Sequence, residues 1–166
     1  MKASVFIGTS VDGFIARLNG DFDFLPADGG EPHGYAEFME TVDALVIGRK
    51  TYETVLAFET WPYGKKPVFV LSTGSLAPAP PDAVVEHMSG DPAEIASQLE
   101  TRGINHVYVD SGITIQAFLR AGLIRRLVMR RLDIRSAPTR SDSIAWLHVR
   151  VEHRVTMGRT EERHPQ

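Results

Sequence analysis

The stretch Ala44-Leu45-Val46-Ile47-Gly48-Arg49-Lys50-Thr51 decides the fold class. Its first four residues form a continuous apolar run, as expected of a strand buried on both faces. Gly48 ends the run, and Thr51 to Phe58 carries helical spacing. Val70-Leu71-Ser72-Thr73 and Val109-Asp110-Ser111-Gly112-Ile113-Thr114 repeat the logic: a buried strand, small or hydroxylated residues, then a helix start. Such a succession predicts an α/β fold in three layers, with a mostly parallel central sheet, right-handed crossovers and helices on both faces.

Working outward, residues 2–9 alternate and are rich in β-branched side chains, so they read as a strand. Thr9 to Asp23 reads as loop, with Asp-Gly at 12–13 and Asn-Gly at 19–20, and Gly29, Gly30 and Pro32 extend it. Tyr35 to Thr41 makes a short helix. Pro67 to Leu71 is a buried strand, and a Pro-rich loop follows at 76–81. Val84-Val85 starts a short strand. Asp91 is a good N-cap and Pro92 suits the first helical position, so a helix runs from there to about Arg102, closed by Gly103. His106 to Val109 is a strand, and Ile113 to Ala121 a helix ended by Gly122. The 166 residues fit one domain, 1–166, with no internal repeat.

The chain has no cysteine, which excludes disulfides and thiol chemistry. Its opening apolar run, Val5-Phe6-Ile7, is too short for a signal peptide or a spanning helix, so a cytoplasmic location and no membrane partner are expected. Charge is unevenly spread. Residues 1–119 carry 7 basic and 16 acidic side chains, a balance of −9; residues 120–166 carry 11 basic, all arginine, and 5 acidic, a balance of +6. The acidic body argues against nucleic acid as a partner. Six histidines show no helical ligand spacing, so no metal site is expected.

Ligands of parallel sheets sit at the carboxyl ends of the strands. Helix N-termini there present free N–H groups and partial positive charge, which suit phosphate. Gly48 and Gly112 allow close backbone approach. Arg49, Lys50 and Thr51 add charge and a hydroxyl, and Ser72 and Thr73 suit a ribose phosphate. Singly, such glycines are usually turns and such hydroxyls usually caps; three segments in this order are more telling. Gly48-Arg49-Lys50-Thr51 also looks like the end of a P-loop, but the earlier glycine of that motif is missing.

In combination these segments resemble the dihydrofolate reductase superfamily, nearest the bacterial branch that includes the reductase domain of the bifunctional riboflavin-biosynthesis enzyme. Ser10-Val11-Asp12-Gly13-Phe14-Ile15-Ala16 resembles the branch's Ser-x-Asp-Gly-x-Ile-Ala. Ile47-Gly48-Arg49-Lys50-Thr51-Tyr52-Glu53 resembles its Gly-Arg-x-Thr-aromatic-Glu segment, and Val70-Leu71-Ser72-Thr73 its Leu-Ser segment. Tyr108-Val109-Asp110-Ser111-Gly112 resembles Val-Asp-Gly-Gly, with Ser111 in place of the first glycine. Ile115 to Leu119 and Gly122-Leu123-Ile124 continue the likeness, which covers residues 2–129.

The resemblance implies a dihydrofolate reductase-like fold and an NADPH-dependent reductase of a small pterin- or pyrimidine-like heterocycle. It places the cofactor across Gly48, Arg49, Lys50 and Thr51, then Leu71, Ser72 and Thr73, then Asp110, Ser111, Gly112, Ile113, Thr114 and Ile115. Gly8, Ile15 and Gly20 fall near the nicotinamide end, and Phe24 and Leu25 near substrate. Domains of this branch often pair, so a homodimer is an expectation of the resemblance.

Hydride transfer to a polarised C=N or C=O needs a proton nearby, and a carboxyl in a semi-apolar pocket provides one. Asp12 and Asp28 are the candidates; each is also an ordinary turn residue. Leu25-Pro26-Ala27-Asp28 is similar to the Leu-Pro-x-Asp of dihydrofolate reductases proper, but Gly29, Gly30 and Pro32 intervene before any helix. Phe22, Phe24, Trp61 and Tyr63 are candidate walls for a flat heterocycle, or ordinary packing.

The branch should finish with a hairpin-like region. A strand begins at Leu127-Val128-Met129, but from about residue 133 the likeness ends, and residues 145–151 keep only alternation. The tail stands open between a divergent hairpin, an arginine arm for an anionic partner, and an out-of-frame reading of a GC-rich gene. Two function classes compete with the reductase: a catalytically inactive nucleotide-binding module of the same fold, and an anion-binding protein that uses the tail.

Overall fold

The computed structural model describes residues 1–9 and 34–131. In chain order the elements are β1 (Lys2–Thr9), α1 (Tyr35–Glu40), β2 (Ala44–Gly48), α2 (Arg49–Leu56), β3 (Val68–Leu71), β4 (Val85–Met88), α3 (Pro92–Thr101), β5 (His106–Asp110), α4 (Gly112–Arg120) and β6 (Ile124–Arg131). Among the described residues the six strands form one sheet, ordered β4-β3-β2-β5-β1-β6, and every pairing is parallel. β6 begins three residues earlier than the apolar triplet Leu127-Val128-Met129 suggests, because Ile124 and Arg126 pair with Ala3 and Ser4 of β1, with Arg125 at the register shift between them.

The three layers follow from strand alternation. Ala44 and Val46 of β2 face one side with Val5, Val107 and Val109, and are covered by Ile95 and Leu99 of α3 and Ile115 and Phe118 of α4. Leu45 and Ile47 face the other side with Val68, Val70 and Tyr108, and are covered by Phe38 of α1 and Tyr52 and Val55 of α2. Both faces of β2 are fully buried, as its unbroken apolar run requires.

Helix boundaries obey local chemistry. Asp91 caps α3 in a capping box with Glu94, and Pro92 takes the first helical position. Gly103 and Gly122 adopt positive φ just after α3 and α4, where an L side chain would be strained. Among the described residues no helix is long and apolar enough to cross a membrane.

Candidate active site

The strand order creates a crevice between β2 and β5. β2 leads through α2 toward β3, while β5 leads through α4 toward β6 on the opposite side. Neighbouring strands whose connections leave in opposite directions part at their carboxyl ends, and ligands of open parallel sheets bind there. Gly48 and Asp110 end these two strands, with Ile47 paired to Asp110.

Gly48 and Ser111 meet across the crevice. A Cβ on Gly48 would lie 2.7 Å from Ser111 Oγ and 3.0 Å from Thr114 Oγ1. Gly48 has φ −82° and ψ 160°, open to any residue, so the close approach alone demands glycine. Ser111 does carry a strained backbone. Its φ of 92° is the one positive value held by a non-glycine among the described residues, a conformation that costs about 1–3 kcal/mol. Its N–H donates to Asp110 Oδ1 at 2.8 Å, its hydroxyl donates to Thr114 Oγ1 at 2.8 Å, and its carbonyl accepts the Ile115 N–H at 2.8 Å.

The first turns of α2 and α4 both open onto the crevice. Arg49 and Lys50 are exposed at the start of α2; Arg49 Nε lies 3.7 Å from Glu53 Oε1. Beyond β3, the Ser72 hydroxyl donates to Gly74 O at 2.9 Å and accepts the Gly74 N–H at 3.0 Å, closing a tight turn with Thr73 exposed at its tip. Arg49 Nη1 would lie 3.8 Å from a Cβ on Gly74. The segments at 48–51 and 71–74 therefore form one basic, hydroxyl-bearing rim.

Asp110 faces the aromatic side of the sheet. Burial raises its carboxyl above the ordinary carboxylate value, offset in part by the Ser111 N–H and the Tyr108 hydroxyl. Phe6, Tyr35, Phe38 and Tyr108 pack edge to face or tilted below it, with centroids 5.2–6.3 Å apart. Tyr35 keeps 39% of its surface exposed, yet its hydroxyl is raised to about 12 by burial and by the Asp110 charge.

The remaining predicted residues divide clearly. Leu71 pairs with Gly48 and Met88 at the rim, and Gly8 lies on β1 opposite Arg130. Ile113 is 76% exposed in the first turn of α4, whereas Thr114 and Ile115 are buried beneath it. Asp12, Ile15, Gly20, Phe22, Phe24, Leu25 and Asp28 lie outside the described residues, as does the sequence beyond Arg131. Trp61 packs edge to face on both Tyr52 and Tyr63, partly buried against the core cluster that holds those two tyrosines. Two features carried no strong sequence signal: the partial burial of Asp110, which needs the tertiary fold, and His87, an exposed strand residue whose ring reaches Ser72.

No family model matches the chain. The uncharacterized protein YwjB of Bacillus subtilis (strain 168) is 41% identical over 76 residues, which are 45% of this chain and 43% of that protein. The match therefore spans less than half of the curated relative's length. A crystal structure of a protein provisionally assigned to riboflavin biosynthesis, from Shewanella sp. PV-4, is 39% identical, with a TM-score of 0.68 over 81% of this chain and 79% of that one. The chain belongs to the family of that riboflavin-biosynthesis protein, which has the dihydrofolate reductase-like fold. The deaminase/reductase of Thermotoga maritima shares that fold at 14% identity, with a TM-score of 0.56 over 82% of this chain and 46% of that one. A reductase-like fold and the crevice at Gly48 thus coincide in one family member.

Proposed function

We propose that this chain is an NADPH-dependent reductase of a small heterocycle, pyrimidine- or pterin-like, of the kind handled in riboflavin biosynthesis. The observation that carries the reading is the parting of β2 and β5 at their carboxyl ends, set by the strand order and flanked by two helix starts, where Gly48 and Ser111 meet. A dinucleotide diphosphate suits the strand ends beside that contact, because the N–H groups of two first turns supply donors there. Arg49, Lys50, Thr51, Ser72 and Thr73 suit the ribose phosphate that distinguishes NADPH. NADPH bound there supplies a hydride to the carbon of a polarised C=N or C=O.

The chain's own part is to orient the reactants and deliver the proton that the heteroatom takes up. Asp110 supports that role: its carboxyl is half-buried, and the desolvation holds a proton on it to a higher pH than on an exposed one. Asp12 and Asp28 are proposed beside it as carboxyls of the same pocket, with Phe24 and Leu25 against the substrate. The uracil reductase named for the Thermotoga maritima protein supports a pyrimidine-like substrate. A homodimer in the cytoplasm belongs to the same proposal.

Titration with NADPH and NADH, read by thermal shift and by fluorescence quenching, tests it. A native-state ligand must raise apparent stability. A rise with NADPH, followed by NADPH oxidation when candidate aminopyrimidine carbonyl compounds are added, supports the enzyme. Binding without oxidation of any of them supports the second reading, an inactive nucleotide-binding module, which Ser111 favours because it narrows the crevice where the branch has glycine. No shift with either dinucleotide at high concentration overturns both.

A further inference from the structure

We infer that His87 is a positioning residue for the phosphorylated ribose, and that it acts through the Ser72–Gly74 turn to set a preference for NADPH over NADH. The inference rests on the NADPH reading of the crevice. β4 is the edge strand of the sheet, and His87 pairs with Val70 there, two residues before Ser72. Both main-chain groups of Ser72 are tied to β4. Its N–H donates to Met88 O at 3.1 Å, and its carbonyl accepts from His87 Nε2 at 2.8 Å. A carbonyl only accepts, so Nε2 carries the hydrogen.

This anchoring matters because Ser72 opens the turn at the rim. The Ser72 hydroxyl closes that turn onto Gly74, leaving Thr73 exposed at the tip and Arg49 Nη1 beside Gly74. The tilt of the Ser72 peptide therefore decides whether the Thr73 hydroxyl and the Arg49 guanidinium converge on one anion. An exposed histidine on an edge strand is ordinarily solvated surface. His87 differs in that its ring is spent on the main chain of this turn. The ribose phosphate is the one chemical difference between the two dinucleotides. A residue that orders only this turn therefore alters the affinity for one of them and not the other.

The test is titration of the full chain with NADPH and NADH by calorimetry, for wild type, His87→Ala and His87→Gln, alongside apo melting curves. Wild type is expected to prefer NADPH. His87→Ala is expected to weaken NADPH binding by about five- to tenfold, the size of one hydrogen bond, with NADH affinity unchanged. The amide Nε2 of His87→Gln can donate to the same carbonyl, so that variant is expected to keep the wild-type preference. Equal loss of both dinucleotides in His87→Ala, or an undiminished preference for NADPH, overturns the role of His87 and leaves the cofactor reading intact. Wild type that binds neither dinucleotide overturns the cofactor reading, and this inference with it.

Discussion

A Cβ at position 48 would sit 2.7 Å from Ser111 Oγ, so the end of β2 and the residue before α4 share a space that excludes any side chain. The clash is with a hydroxyl and not with backbone. Gly48→Ala therefore forces Ser111 to rotate and give up its bond to Thr114. The expected cost is about 1–3 kcal/mol, typical of overpacking, read as a fall of several degrees in Tm. Ser111→Ala removes the clashing oxygen, so the double variant should lose less than the two singles together. Strict additivity would show that Gly48 and Ser111 do not share this space.

Ser111 separates backbone strain from side-chain bonding. Ser111→Ala keeps the strained φ and loses the Thr114 hydrogen bond, for an expected loss of about 1 kcal/mol. Ser111→Gly loses the same bond but relieves strain of about 1–3 kcal/mol, less about 0.5–1 kcal/mol for glycine's added freedom in the unfolded chain. The glycine variant should therefore lie within about 1–1.5 kcal/mol of wild type and melt above the alanine variant. Chemical denaturation of the three proteins checks the order, and an alanine variant as stable as the glycine one contradicts the strain.

Asp110→Asn keeps the acceptor for the Ser111 N–H and removes the titrating carboxyl. NADPH affinity should persist while turnover falls by at least about 100-fold, the scale of a lost general acid. Stability should move the other way. A carboxyl raised on folding stabilises the fold below its unfolded value, and that contribution is lost as pH rises through the folded value. The variant should thus melt above wild type at neutral pH, with the gap closing toward the ordinary value of 3.8. Melting curves across that range test the sign.

His106 predicts an acid-side loss at the opposite end of the sheet. Its Nδ1 donates to Thr41 O at 2.6 Å, and its Nε2 lies 2.7 Å from the hydroxyl of buried Ser4. Burial lowers its value below the ordinary 6.5; the neighbouring Lys2 and Arg126 charges act in the same direction, and the Thr41 carbonyl and Asp43 oppose them. A histidine depressed on folding lets the unfolded chain bind its proton first, so stability falls as pH drops below 6.5 and levels off once the folded ring is protonated. His106→Gln cannot titrate there and should flatten that part of the Tm profile. An unchanged slope in the variant would remove His106 as its source.

Much of the fold is legible along the chain because its signals are local. The apolar runs at 44–47 and 67–71, Asp91 with Pro92, and the glycines at 103 and 122 place strands, a cap and helix ends within a residue or two of where they lie. The start of β6 is less legible, since Arg126 joins the strand through pairing with Ser4 of β1, past a register shift at Arg125, and not through hydrophobic pattern. Of the site, the rim residues at 48–51 and 71–73 are legible as motifs. Asp110 is legible as part of a motif but not as a half-buried acid, because its environment comes from Tyr108 and from elements far away in sequence.

The sequence by itself determined the strand–helix alternation, and from it the layered α/β class and the three strand ends where a ligand belongs. Only the tertiary structure decided the order β4-β3-β2-β5-β1-β6, which parts β2 from β5 at their carboxyl ends and sets Gly48 against Ser111. It also decided that His87 reaches Ser72 and that Asp110 is desolvated. The physical reason is range. Periodicity and capping depend on neighbours within a few residues, whereas close approach and burial depend on which distant segments the sheet brings together.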